Sequence, residues 1–144
     1  MGPIVILVFI MIAIIIFGIA QTRKSNRLKK EFGAALHSVG IHQSGLPQVP
    51  EGKKVDILLG NGNLYIKADQ QVFELSLSKV SGVHHPNQRE VMKFQSFLII
   101  GYHMNGRHRK IKLSFFKSAI AKTFLWEIER QLFTNNSSNG VIRL

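Results

Sequence analysis

The sequence contains no cysteine among its 144 residues, which excludes disulfide bonds, thiolate zinc sites and thiol nucleophiles. Acidic side chains are also scarce: eight Asp and Glu stand against 19 Lys and Arg, for a formal net charge of +11. The signatures G-x-x-x-x-G-K, G-x-S-x-G and H-E-x-x-H, typical of phosphate binding, acyl transfer and zinc-dependent hydrolysis, do not occur. We therefore expect neither an enzyme nor a bound cofactor.

Charge is absent from the N-terminal segment, where Arg23 is the first charged side chain. Ile4 to Ala20 is apolar throughout except for Gly18, and the 21 uncharged residues from Gly2 to Thr22 would span about 31 Å as a helix. That length matches the roughly 30 Å hydrocarbon core of a bilayer, so the pattern predicts a transmembrane helix at residues 1–22. A cleaved signal peptide is the alternative, but the segment has no basic start and its apolar run exceeds the usual stretch of about 7 to 15 residues.

Basic residues follow this segment at once, with Glu31 as the only acidic residue beside them. They are Arg23, Lys24, Arg27, Lys29 and Lys30. The positive-inside rule then predicts a single-pass protein of the cell membrane whose C-terminal domain is cytoplasmic. At an anionic leaflet each of these charges contributes about 1 kcal/mol of attraction, so a lipid site is an alternative to a plain topology signal.

The next two segments are predicted as a helix and a linker. Apolar residues recur at helical spacing at Leu28, Phe32, Ala35, Leu36 and Val39, which predicts a basic amphipathic juxtamembrane helix at residues 23–39. Residues 40–52, GIHQSGLPQVPEG, contain two prolines and three glycines and are predicted to form a flexible linker of about 20 Å.

Residues 53–133 are predicted to form one folded unit dominated by β-strands. Alternating apolar residues flank two Asn-Gly pairs, at 61–62 and 105–106, which is typical of hairpins with two-residue turns. The turns set a register across each hairpin, pairing Asp56 with Lys67, Leu58 with Tyr65, Leu98 with Leu113, Ile100 with Ile111 and His103 with His108. An amphipathic helix follows, with its apolar stripe at Ile120, Phe124, Leu125, Ile128 and Leu132. The polar tail, residues 134–144, is expected to be disordered.

The order of these elements resembles the pleckstrin-homology (PH)-like domains of bacterial membrane proteins. The resemblance depends on LSLSKVSGV at residues 75–83, SFLIIGY at 96–102 and AKTFLWEIERQL at 121–132. It implies a mostly β fold with α: a barrel of six to seven antiparallel strands, capped by one C-terminal helix and preceded by the single transmembrane helix. Members that bind phosphoinositides have a basic motif around the first loop, whereas the corresponding loop here, residues 60–63, has no basic residue. The resemblance therefore implies a binding or assembly platform without that lipid site.

A second basic cluster lies on the last strand and its exit, at Arg107, Arg109, Lys110, Lys112 and Lys117. It is a candidate patch for anionic lipid or for a partner, with a merely solvated strand face as the alternative. Nucleic acid is not expected, because no aromatic platform accompanies the charges. The facing pair His103 and His108 is a weak metal candidate, but no carboxylate is evident to complete such a site, which favours an ordinary surface pair.

The predicted function is that of a protein-interaction or assembly module at the bilayer, which binds an unidentified protein partner or associates with itself. An extended peptide adding to a strand edge beside the C-terminal helix is one way to achieve this. The alternative is a peripheral sensor of anionic lipid headgroups that uses the basic last strand.

Overall fold

A computed structural model describes residues 2–86 and 96–139. In chain order the elements are α1 (Pro3–Phe32), β1 (Ala34–Ser44), β2 (Lys54–Gly60), β3 (Asn63–Ala68), β4 (Gln71–Ser76), a short 3-10 helix (Leu77–Lys79), β5 (Val80–His84), β6 (Ser96–Met104), β7 (Arg107–Phe115) and α2 (Ser118–Asn139). The predicted fold class, mostly β with an apolar N-terminal helix and a C-terminal helix, is confirmed.

Helix α1 runs without interruption through the predicted membrane span and into the predicted juxtamembrane helix. Pro3 lies in its first turn, where the missing N–H costs no intrahelical hydrogen bond. Its most apolar 18-residue window has a mean hydropathy of 3.2, and none of that window is buried in the protein. The helix is therefore long and apolar enough to span a membrane.

The prediction of a helix up to Val39 is wrong, because α1 ends at Phe32 and β1 begins at Ala34. Gly33 separates the two elements with a left-handed φ of 60°, and its N–H donates to carbonyl oxygens of the last helical turn. The register pairs β1 with core residues of β2 and β7, so that one face of β1 points inward. That face is mostly polar or small, which is why no alternating apolar pattern marks this strand: Leu36, Ser38, Gly40 and His42.

Residues 40–52 do not form the predicted flexible linker. The first five belong to β1, while Leu46 and Val49 are buried in the core. The imidazole of His42, 2% exposed, holds this segment: its Nδ1 lies 3.2 Å from the carbonyl oxygen of Pro50, and its Nε2 accepts the Leu46 N–H at 3.1 Å. Residues 34–49 are thus part of the sheet and core, ahead of the predicted start at residue 53.

The seven strands form one antiparallel sheet in the order β4-β3-β2-β1-β7-β6-β5. Laid flat, seven strands would measure about 29 Å across, at about 4.8 Å per spacing. Yet the two edge strands, β4 and β5, are joined by the 3-10 helix alone, and the chain from Ser76 to Val80 reaches at most about 15 Å. The sheet is therefore strongly curved. It has the predicted number of strands and an arrangement compatible with a PH-like fold, but it is not a closed barrel.

Both predicted hairpins have the expected register, including Asp56 opposite Lys67 and His103 opposite His108. The second turn has positive φ at Asn105 and at Gly106, as a type I′ turn requires. In the first turn only Gly62 has a positive φ, so its backbone differs from the primed turn that its Asn-Gly sequence predicts.

Helix α2 covers one end of the curved sheet with the predicted apolar stripe. Phe124 is buried and stacks on Phe115 with ring centroids 5.5 Å apart. At the other end of the helix, the Gln131 side chain donates to the carbonyl oxygen of Gly60 at 3.1 Å and accepts the N–H of Gly62 at 2.9 Å. The helix continues to Asn139, so the prediction of a disordered tail is wrong for residues 134–139; residues 140–144 lie outside the described part of the chain.

Candidate interaction surfaces

The last turns of α1 pack on the outer face of the sheet, against β1 and β2. Leu28 is 1% exposed, and Leu58, which alternates with core residues and therefore faces outward, is fully buried. The Phe32 and Tyr65 rings meet with centroids 5.1 Å apart. An apolar contact thus holds the domain directly on the end of α1.

A polar cluster lies beside this contact. His37 of β1 places its Nδ1 2.8 Å from the Ser25 hydroxyl oxygen of α1 and its Nε2 3.0 Å from Oδ1 of Asp56 on β2. Lys24 of α1 lies 3.4 Å from the other carboxylate oxygen of Asp56. The hydrogen bond from His37 outweighs the opposing effect of burial and, with the charge of Lys24, holds the pKa of Asp56 below its ordinary value. Helix and sheet are therefore also joined by charge-assisted hydrogen bonds.

A cleft of about 380 Å³ lies between α1 and the strands β2 and β3; we call it the basic cleft. Five cationic side chains line it: Lys24 and Arg27 from α1, Lys53 just before β2, Lys54 at the start of β2, and Lys67 from β3. Two carboxylates accompany them, of which Asp56 pairs with Lys24, and Asp69 pairs with Lys53 at 2.6 Å. Within the described residues, the other three cations have no carboxylate within 4.0 Å.

Of the five predicted juxtamembrane cations, the structure thus brings Lys24 and Arg27 to the basic cleft. Arg23 and Lys30 are exposed on α1, and Lys29 is partly buried. Sequence reasoning missed the cations that β2 and β3 contribute to the cleft. It also missed His37 and Asp56 as contacts of α1, because the segment containing His37 was predicted to be helical.

The predicted patch on the last strand is divided between the two faces of the sheet. Lys110 and Lys112 share the outer face, where the Lys112 ammonium lies 4.3 Å from the centre of the Phe97 ring. Arg109 is opposite Tyr102, at the rim of the inner face. Arg107 is exposed beside the hairpin turn, and Lys117 is exposed before α2. The five residues therefore do not form one continuous surface.

The predicted histidine pair is present on the outer face. The rings of His103 and His108 meet edge to face with centroids 5.2 Å apart, and His108 Nε2 lies 3.0 Å from the Ser81 hydroxyl oxygen. Among residues 2–86 and 96–139, no three His, Asp or Glu side chains come together as a metal site would require.

The open side of the sheet offers a different surface. Strand β4 pairs with β3 and with no other described strand, and β5 forms the opposite edge and contacts α2. Beside β4 lies a cavity of about 180 Å³, which we call the edge cavity. Its walls are mainly apolar, with Phe73 and Leu75 from β4 and Tyr102 and Met104 from β6. Lys79 and Arg109 bring positive charge to it, and Glu74 contributes one carboxylate.

No protein-family model matches the chain, and no curated protein sequence is significantly similar to it.

Proposed function

We propose that this protein is a membrane-anchored interaction module that binds an extended segment of a partner protein along β4, with one apolar side chain of that segment in the edge cavity. The observation that supports this most directly is that β4, an edge strand of the sheet among the described residues, lies beside an apolar cavity. Addition of a strand to such an edge is a common way to recognise peptides.

Some backbone N–H and C=O groups of β4 point away from β3, where an added strand could bind them. A two-residue turn joins β3 to β4, and the pair that closes it is Ala68 with Gln71. In such a hairpin the closing pair is hydrogen-bonded, and alternate residues then direct their N–H and C=O away from the partner strand. In β4 those residues are Val72, Glu74 and Ser76, and an added strand would pair with them.

The edge cavity would select the side chain. A space of about 180 Å³ admits one aromatic or branched aliphatic group, since a cavity of about 150 Å³ can hold benzene. The two nearby cations, Lys79 and Arg109, favour an acidic residue next to that apolar one. The partner segment is therefore extended, carries a large apolar side chain and is acidic beside it.

In this proposal, α1 anchors the module at the membrane. In the proposed arrangement α1 spans the cell membrane and the basic residues that follow it retain the sheet on the cytoplasmic side. A ligand segment belonging to a membrane protein would then meet the module at high local concentration.

A displayed library of random ten-residue peptides, selected on the full-length protein in lipid nanodiscs, tests the proposal. We expect the selected peptides to share a large apolar residue with an acidic neighbour. Glu74→Pro removes one outward N–H without removing a bond to β3 and should weaken their binding at least tenfold. Glu74→Ala keeps that N–H and should bind within about twofold of the wild type.

Three outcomes would contradict the proposal: no shared pattern among the peptides, equal binding by the two variants, or undiminished binding of acidic peptides by Arg109→Glu. If the protein instead forms dimers that Glu74→Pro dissociates, the strand that adds to β4 comes from a second copy. That result would replace the partner protein with self-association.

A further inference from the structure

The basic cleft has a defined position relative to the membrane, if α1 spans it as proposed above. The contacts of Leu28, Phe32, Ser25 and Lys24 fix the sheet on α1, and no flexible linker separates them. Lys24 is two residues and Arg27 five residues beyond Thr22, or about 3 Å and 8 Å along the helix. The polar layer on each side of the hydrocarbon core is about 5 to 8 Å thick. The cleft therefore opens at the level of the lipid headgroups.

The cleft has more positive charge than its own carboxylates neutralise. Lys24 and Lys53 are paired with Asp56 and Asp69, which leaves Arg27, Lys54 and Lys67 facing the same space without a carboxylate partner among the described residues. Like charges that converge on a concave surface raise its potential and attract a counter-ion. A phosphate group provides both the charge and several acceptor oxygens for such donors.

The surface of α1 that leads into the cleft is apolar on the membrane side. Ile16, Ala20, Lys24 and Arg27 follow one another at spacings of four, four and three residues and therefore lie on one helix face. A molecule with an acyl chain and a phosphate can contact this whole face, whereas a free phosphate contacts only its basic end. We propose that the basic cleft binds the phosphate headgroup of one anionic glycerophospholipid, whose acyl chains lie along α1.

This site differs from the lipid patch predicted on the last strand. It combines cations of α1 with cations of the sheet, so its affinity depends on side chains that are distant from the transmembrane segment in sequence. A disordered basic segment beside the membrane would attract the same lipids, but without Lys54 and Lys67. Substitution of Lys54 and Lys67 therefore distinguishes a folded lipid site from nonspecific attraction by the basic residues beside the membrane.

The experiment uses the full-length protein in nanodiscs of phosphatidylcholine with about one quarter phosphatidylglycerol, and counts the phosphatidylglycerol retained by native mass spectrometry. We expect one retained molecule for the wild type and an at least fivefold lower retention for Lys54→Gln with Lys67→Gln. The matched control is Arg107→Gln with Lys110→Gln, which removes the same charge from exposed positions of β7 and should retain the lipid. Thermal unfolding of each variant establishes that it is folded.

If both double variants lose phosphatidylglycerol equally, the protein attracts the lipid by nonspecific charge and the site is overturned. If both retain it, the charges of α1 alone hold the lipid, and the site is likewise overturned. A third arm adds glycerol 3-phosphate to the protein in pure phosphatidylcholine nanodiscs. Binding there as tight as that of phosphatidylglycerol would assign the cleft to a soluble phosphate and overturn the lipid. Peptide binding along β4 should be unchanged in these variants, so failure of the lipid site leaves the proposed function intact.

Discussion

Asp56 Oδ1 and His37 Nε2 are 3.0 Å apart and belong to adjacent strands, yet their contact fixes a third element. An ionised carboxylate can only accept, so Nε2–H donates to Asp56, and in the neutral ring Nδ1 accepts from the Ser25 hydroxyl. The imidazole therefore connects the sheet to α1. Two side chains of the strands thereby add a polar connection to the apolar contact that holds the domain on the helix.

Replacing Asp56 with Asn should destabilise the protein more than the same change at Asp69. Asp56 accepts from a buried imidazole, and hydrogen bonds to charged groups contribute about 1.5 to 3 kcal/mol. Asp69 forms an exposed pair with Lys53, which contributes at most about 1 kcal/mol. Thermal unfolding of the full-length protein in detergent measures both variants. Equal effects would show that the His37 contact does not stabilise the docking.

The contribution of Asp56 should depend on pH with a definite sign. Its pKa is lowered in the folded protein, so the unfolded chain binds the proton more readily and stability rises with pH. The contribution is complete above the unfolded pKa of about 3.9 and is lost as the pH falls through the lower folded value. The difference in melting temperature between the wild type and Asp56→Asn should therefore narrow below about pH 4. A constant difference down to pH 2 would contradict this.

His42→Ala should destabilise the protein by about 1 to 3 kcal/mol, because it leaves the Leu46 N–H and the Pro50 carbonyl without their buried partner. His84→Ala removes an exposed imidazole and should change stability by less than about 0.5 kcal/mol. Proteolysis between Gly45 and Gly52 provides a local readout. Faster cleavage of the His42 variant is expected there, and unchanged cleavage would show that the loop is held by Leu46 and Val49 alone.

Truncating a side chain on the inner face of β6 should lower the free energy of unfolding far more than truncating one on its outer face. Ile100 is fully buried in the core, whereas Ile99 faces outward opposite Lys112 and is partly exposed. Truncating Ile100 to Ala should cost about 2 to 5 kcal/mol, and truncating Ile99 clearly less. Chemical denaturation of the two variants measures the difference. The reverse order would mean that the strand is shifted by one residue.

Strands β2, β3, β6 and β7 were predictable because each has an apolar face of alternating residues next to a Gly-containing turn. β1 was not, because its inner face carries Ser38, Gly40 and His42 in place of apolar residues. Gly40 has a packing reason: a Cβ there would lie 2.7 Å from the Ile57 side chain and 2.9 Å from the Ser114 carbonyl oxygen. The inner face of β1 carries small and polar residues that let neighbouring strands and side chains pack closely. The strand therefore lacks the alternation of apolar and polar residues by which a strand is recognised in a sequence.

The basic cleft was not predictable for a different reason. Lys24 and Arg27 are recognisable as basic residues in the sequence, but Lys54 and Lys67 join them only because α1 docks on the outer face of β1 and β2. His37 is one of the contacts in that docking, and the helical spacing of its neighbours predicted the wrong kind of element for its segment. The edge cavity likewise forms only because the curvature of the sheet brings β4 near β6. No local sequence pattern predicts that curvature.

Because α1 leads directly into the sheet, the number of residues in the helix determines the direction in which the domain faces around the helix axis. Each residue of an α-helix advances the chain by about 1.5 Å and turns it by about 100°. With a single residue, Gly33, between helix and sheet, inserting one residue between Ala20 and Arg23 would rotate the domain by about a quarter turn around the axis of α1 and move it outward by only about 1.5 Å. Rotation of the membrane segment about its own axis would therefore turn the whole domain, β4 included, through the same angle.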